Sequence, residues 1–215
     1  MSFHYYGLIS SLPFLSNDFN LNRLPISGSV LRSRLRGLSL EDQEQLGAMI
    51  NFHEQLYSIT SYSDSQVVQL IEEVRRQLIH PQLQNLLESD VNILVVVSAL
   101  RQRLANKEPI LPSGEVAAHI RRNWQHPDFS LAGRFQWLPE VREHLEQGQV
   151  LELERRVDQV RWQCFVDLVQ MEPFTFEAVA AYLGKWDILR RWSQVDAVAG
   201  QERFDQLVNE VLQVT

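Results

Sequence analysis

Apolar residues recur at three- and four-residue spacing along most of this chain. That spacing constrains the fold more than any other feature. In SDSQVVQLIEEVRRQLIHP (63–81), Val67, Ile71, Val74 and Leu78 fall on one side of a helix. Asp64 is expected to cap its start, Glu72 to pair with Arg76 one turn on, and Pro81 to close it. LSLEDQEQLGAMINFHEQLY (38–57) carries Leu46, Met49, Ile50 and Leu56 in the same way. Ser39 and Asp42 there resemble a capping box with Asp in the Glu position.

DVNILVVVSALRQRLANKEP (90–109) is the ambiguous stretch. Its β-branched run from Ile93 to Val97 suits a buried strand, but Leu100 and Leu104 continue a helical pattern. We read a helix of about 15 residues. Pro139 fits the first turn of a helix running to about residue 170, broken or bent near Gly148, with Leu153, Val157, Val160, Cys164 and Leu168 on one side. Two last helices are expected at 176–192 and 197–213, separated by Ser-Gln-Val-Asp; the second carries Phe204, Leu207, Val208 and Val211. The pattern predicts an all-α, multi-helix bundle with no substantial sheet. It reads as one helical domain over 1–215, with a sub-boundary in the loop 106–114, inside NKEPILPSGE (106–115). The aromatic-rich stretch 126–140 is a second loop.

Composition narrows the function classes. A net charge of −7 argues against a dedicated nucleic-acid binder, which needs a basic stripe. One cysteine, Cys164, rules out an internal disulfide and a cysteine-rich zinc site; its apolar surroundings make it a small buried hydrophobe. The N-terminus lacks the pattern of a cleaved signal, and the longest apolar run, NILVVVSAL (92–100), is short of the ~20 residues of a membrane span. A cytoplasmic protein is expected, without direct membrane insertion.

The motifs of nucleotide binding, of zinc proteases and of serine hydrolases do not occur. Glu140 and His144 lie one turn apart, but two groups do not hold a metal. No cofactor, metal or small-molecule substrate is expected, and no enzymatic activity. The densest charged segment is LELERRVDQVRW (151–162). Glu154 and Asp158 share a face, flanked by Arg155, Arg156 and Arg161, and close to Trp162. Surface or intramolecular pairing is the first reading, a protein interface the second.

VAAYLGKWDILRRW (179–192) combines an apolar stripe of Val179, Tyr182, Leu183, Trp186 and Leu189 with Asp187 and Arg191 at pairing distance. Tyr182 and Trp186 are read as core. Lys185, Arg190, Arg191 and Trp192 are left as candidate partner contacts, because Trp and Arg are enriched at interface hot spots.

In order and spacing, YYGLISSLPFLS (5–16), LRSRLRGLSLEDQEQL (31–46), NILVVVSALRQR (92–103), LELERRVDQVRW (151–162) and VAAYLGKWDILRRW (179–192) resemble an uncharacterised bacterial family encoded in V/A-type ATPase operons. The last motif is distantly similar to the C-type stalk component of that ATPase, the d-type component of the eukaryotic enzyme. The resemblance implies a non-catalytic subunit or assembly factor in the stalk between the ATP-hydrolysing head and the membrane ring. Its partners would be the other V/A-type ATPase subunits, through which it would reach the inner membrane. The alternative is a general helical adaptor unrelated to the ATPase.

Overall fold

The computed structural model describes residues 5–17, 19, 23–58, 63–171 and 173–213, with side chains described up to residue 194 apart from 57, 58 and 171. Among the described residues there are nine helices and no strand. They are α1 (Tyr6–Ser11), α2 (Gly28–Leu35), α3 (Leu40–Ser58), α4 (Asp64–Gln77), α5 (Pro81–Leu104), α6 (Glu115–Arg122), α7 (Leu138–Glu146), α8 (Val150–Met171) and α9 (Phe176–Gln213). The all-α reading of the sequence holds. The chain forms two compact units: Ser39–Met171, and a discontinuous one made of Met1–Leu38 with Glu172–Thr215.

In the central unit, α5 is the axis. It packs against α4, α6, α7 and α8. Its buried residues include Leu83, Leu87, Val91, Val96, Ala99 and Leu100. A helix apolar on every side is stable only when encircled, which is why the β-branched run from Ile93 to Val97 is helical here. The helix starts at Pro81, well before residue 90, so Pro81 opens α5 as well as ending α4. By length and composition it could cross a membrane, but 61% of that apolar window is buried in the fold.

Local signals set most helix ends. Ser63, not Asp64, caps α4, in a reciprocal capping box with Gln66. The Asp42 amide donates to Ser39 Oγ at 3.1 Å, as the sequence suggests for α3. Gly148, at φ 69°, ends α7, with the Gln149 amide on the His144 carbonyl and the Gly148 amide on the Leu145 carbonyl. This pair of bonds makes a Schellman turn, and the left-handed φ favours glycine there. No such break divides α9. Ser193–Asp196 continue as helix, and α9 runs unbroken for 38 residues instead of forming two helices. Ser and Asp are tolerated in a helix interior, and neither proline nor a left-handed residue interrupts it. Phe204, Leu207, Val208 and Val211 have side chains outside the described residues.

The loop 106–114 lies inside the central unit, not at its edge. Gln102, 4% exposed, holds it like a strand partner: its Oε1 accepts from the Ile110 amide at 2.9 Å and its Nε2 donates to the Ile110 carbonyl at 3.1 Å. Arg121 adds a bond to the Leu111 carbonyl at 2.6 Å. Gln45 does the same for the α4–α5 connection, donating to the Gln77 carbonyl and accepting from the Ile79 and His80 amides. A buried backbone polar group must find a partner, and these two glutamines provide one.

In the terminal unit, the N-terminal segment wraps the first half of α9. The Tyr5 amide donates to the Phe174 carbonyl, the Tyr182 hydroxyl to the Pro13 carbonyl, and the Trp186 indole N–H to the Ile26 carbonyl. The Trp186 ring approaches Gly28 so closely that a Cβ there would lie 3.2 Å from it. Phe19 stacks on Trp192 with centroids 6.1 Å apart. Val179, Ala181 and Leu189 of α9 are fully buried, Val179 and Ala181 on opposite sides of the helix. Truncating Trp186 to Ala is therefore expected to cost about 3–5 kcal/mol, and Tyr182→Phe, which removes one hydrogen bond, about 1 kcal/mol. Urea unfolding of the full chain followed by far-ultraviolet circular dichroism measures both; equal losses would show that the ring of Trp186 is not a core element.

Candidate functional site

The charged segment 151–162 lies on α8, but the buried side of that helix is not the one its aliphatic residues suggest. Leu153, Val157, Asp158, Arg161, Trp162 and Phe165 are buried, whereas Val160, Cys164 and Leu168 are only half-buried. Two charged residues thus sit within the core of the central unit. The Arg161 guanidinium is held by Asp90 of α5 at 2.6 Å and by Asp158, one turn back on α8, at 3.2 Å. His53 of α3 lies 2.9 Å from the other Asp90 oxygen. An ionised carboxylate only accepts, so His53 Nε2 carries the proton of this bond. Four residues from three helices form one buried ionic cluster.

Its electrostatics are self-compensating. Removing Arg161 from water costs several kcal/mol, which only close opposite charges and good hydrogen bonds offset. Burial pushes the Asp90 carboxyl upward, but the Arg161 charge and the His53 hydrogen bond outweigh it and hold Asp90 well below the usual carboxylate range. Cys164 lines a small cavity beside the cluster, together with Met49, His53 and Asp90, with room for about one water molecule. Burial, with the Asp90 and Asp167 charges behind it, pushes the Cys164 thiol upward. A thiol kept protonated in this way is a packing group rather than a nucleophile.

The remaining residues of the segment point elsewhere. Glu154 reaches Arg101 at 3.3 Å on the half-exposed surface, Arg155 is half-buried, and Arg156 pairs with Glu140. Glu140 also stands 3.9 Å from His144, whose Nδ1 is engaged by Gln149. Glu72 pairs with Arg75 and accepts from the Ser113 hydroxyl; Arg76 donates to the Glu72 carbonyl instead of forming the expected ion pair. His119 and His126 are each occupied separately, by the Phe129 carbonyl and by Asp128. Among the described residues no three His, Cys, Asp or Glu side chains gather to hold a metal.

The candidates on α9 divide differently from the sequence reading. Trp192 is 4% exposed beneath Phe19, so its ring is a core group and not an open contact surface. Periodicity within α9 could not reveal a partner contributed from residue 19. Trp186 is buried as expected, and Tyr182 is half-buried. Arg190 lies over the Trp186 ring, 5.9 Å from its centroid, and pairs with Asp187 at 2.6 Å. Arg191 shares Asp187 at 3.5 Å. Lys185 is half-buried, and burial lowers its pKa. The Arg190 side chain, 37% exposed, is more open than that of Arg191, 20% exposed.

Sequence reasoning missed His53 and Asp90 as members of the cluster. Asp90 is a lone acid at the head of the apolar run 91–100, and an unpaired acid entering a buried helix is the signal that could have exposed it.

The model of a family described as "Protein of unknown function (DUF2764)" matches residues 81–214. The chain belongs to this family. The match begins where α5 begins and takes in Asp90, Asp158, Arg161 and the α9 residues discussed above, while His53 lies outside it. No curated protein and no solved structure matches the chain.

Asp90 contributes stability that is fully present above the ordinary carboxyl value of 3.8 and is lost as pH falls from there toward its depressed folded value. Thermal melts of the wild type should therefore drop steeply below about pH 4, and Asp90→Asn should flatten this acid limb while being less stable at pH 7. An unchanged acid limb in Asp90→Asn would remove Asp90 from the cluster's energetics.

Proposed function

We propose that this protein is a non-catalytic component or assembly factor of a V/A-type rotary ATPase, acting through protein–protein contacts in the stalk between head and membrane ring. The observation that carries this reading is where the motifs of the resemblance sit. YYGLISSLPFLS (5–16) and VAAYLGKWDILRRW (179–192) pack on one another in the terminal unit, through Pro13 and Tyr182. LELERRVDQVRW (151–162) supplies Asp158 and Arg161 of the buried cluster and ends on the buried Trp162. Motifs at such positions are ones the fold depends on, and this supports the reading.

The chemistry of the cluster fits a mechanical role. Arg161 is clamped between two carboxylates and Asp90 is held ionised, so neither is poised to exchange a proton near neutral pH. Such a cluster resists shear between α5 and α8, which suits a part that transmits force or orders assembly. The half-exposed Arg190, Arg191 and Lys185 of α9 remain the candidate contacts to the ATPase.

Tagged at its native locus and recovered from gently solubilised membranes, the protein should co-purify with the ATPase subunits, and its deletion should impair ATP-driven proton or sodium pumping. Elution alone together with intact pumping would overturn the proposal. Recovery with a different stable partner would make the protein a general helical adaptor instead.

A further inference from the structure

The charge of this chain is unevenly spread. Residues 1–38 hold four arginines against a single acid, Asp18, while the rest of the chain is strongly acidic. In the central unit Arg75, Arg101, Arg134, Arg142, Arg156 and Arg161 each face a carboxylate. The N-terminal arginines do not. Arg32 and Arg36 lie one turn apart, on α2 and at its C-terminal cap, both exposed, and Arg23 is exposed before it. Among the described residues none of these three makes an ion pair. Arg34 alone turns inward, donating to the Ser11 carbonyl and tying α2 to α1.

Beside this basic segment lies an apolar one. Residues 5–17, YYGLISSLPFLSN, contain no charged side chain. None of the six residues of α1 is buried. Phe14 is 86% exposed and Tyr6 56%, and on α2 Val30 is exposed as well. Tyr6, Leu8 and Ser11 border one open depression with Arg34 and Gly37, so the apolar helix and the basic end of α2 adjoin.

We propose that this N-terminal surface docks on an anionic lipid membrane, with Phe14 entering the headgroup layer beside Tyr6, whose ring packs on Phe174, while Arg23, Arg32 and Arg36 meet lipid phosphates. The pairing of exposed aromatic and aliphatic side chains with unpaired cations is that of interfacial binding. Guanidinium groups engage phosphate oxygens in bidentate fashion. Phe14, Tyr6 and Val30 come from separate short segments, which suits a deformable lipid surface better than the shaped surface of an acidic protein. The contact is peripheral, and it stands independently of the ATPase assignment.

The test uses the purified full chain and vesicles alone. Co-sedimentation is expected with equimolar phosphatidylcholine–phosphatidylglycerol vesicles at low salt, weakening as salt rises, and not with pure phosphatidylcholine. Arg32→Glu with Arg36→Glu should lower binding by about ten-fold or more. Phe14→Ser should also lower it, without changing its salt dependence. Circular dichroism should be unaltered in both variants, since these side chains are exposed. Absence of binding to the anionic vesicles, equal binding to neutral ones, or full binding by either variant would overturn the proposal. A chain that ignores the anionic vesicles yet loses an acidic protein partner through the paired Arg32→Glu and Arg36→Glu changes would also overturn it, and would make the surface a protein interface.

Discussion

Arg161 sits where an aliphatic residue would be expected, and the central unit is arranged around the consequences. A buried guanidinium with no partner would be intolerable, so α5 must present Asp90 and α8 must present Asp158 at the same height. His53 then links α3 to the same carboxylate. Apolar packing alone would let α5 slide against α8, because Val, Leu and Ala surfaces are nearly interchangeable along a helix. Directional bonds between three helices remove that freedom. In this account the cluster contributes register more than net stability, since hydrophobic replacements of equal volume often stabilise as well as buried ion pairs do.

The terminal unit solves a different problem. An amphipathic stripe on α9 needs a cover, and residues far away in sequence provide it. Ile26, Gly28 and Phe19 meet Trp186 and Trp192, while Pro13 receives the Tyr182 hydroxyl. The same segment that covers α9 leaves Phe14 and three arginines exposed. A single stretch of chain can thus complete a core and still leave exposed side chains.

Much of the fold was legible in the sequence because it is locally determined. The apolar periodicity of 63–78, Ser39 before Asp42, Pro139 and Gly148 each act within one or two turns, and each appears where expected. What could not be read depends on contacts between distant residues. Trp192 is buried only because Phe19 stacks on it, and the loop 106–114 is fixed only because Gln102 and Arg121 bind its backbone. The aliphatic pattern of α8 points to Val160, Cys164 and Leu168, which are only half-buried; intramolecular pairing is legible at Asp158, but the burial of Arg161 depends on a partner at residue 90 that no local pattern shows. The continuity of α9 through Ser-Gln-Val-Asp differs from the sequence expectation for the opposite reason: the stretch holds no proline or other true breaker, so the helix runs on.

The claim that Arg161 and Asp90 act as one buried unit is tested most directly by a double-mutant cycle on stability, using Arg161→Met, Asp90→Asn and the two combined. The account expects the combined variant to lose at least about 1 kcal/mol less than the sum of the single losses, because Arg161→Met strands the Asp90 and Asp158 charges, and Asp90→Asn in the same chain removes one of them. Losses that simply add would contradict it.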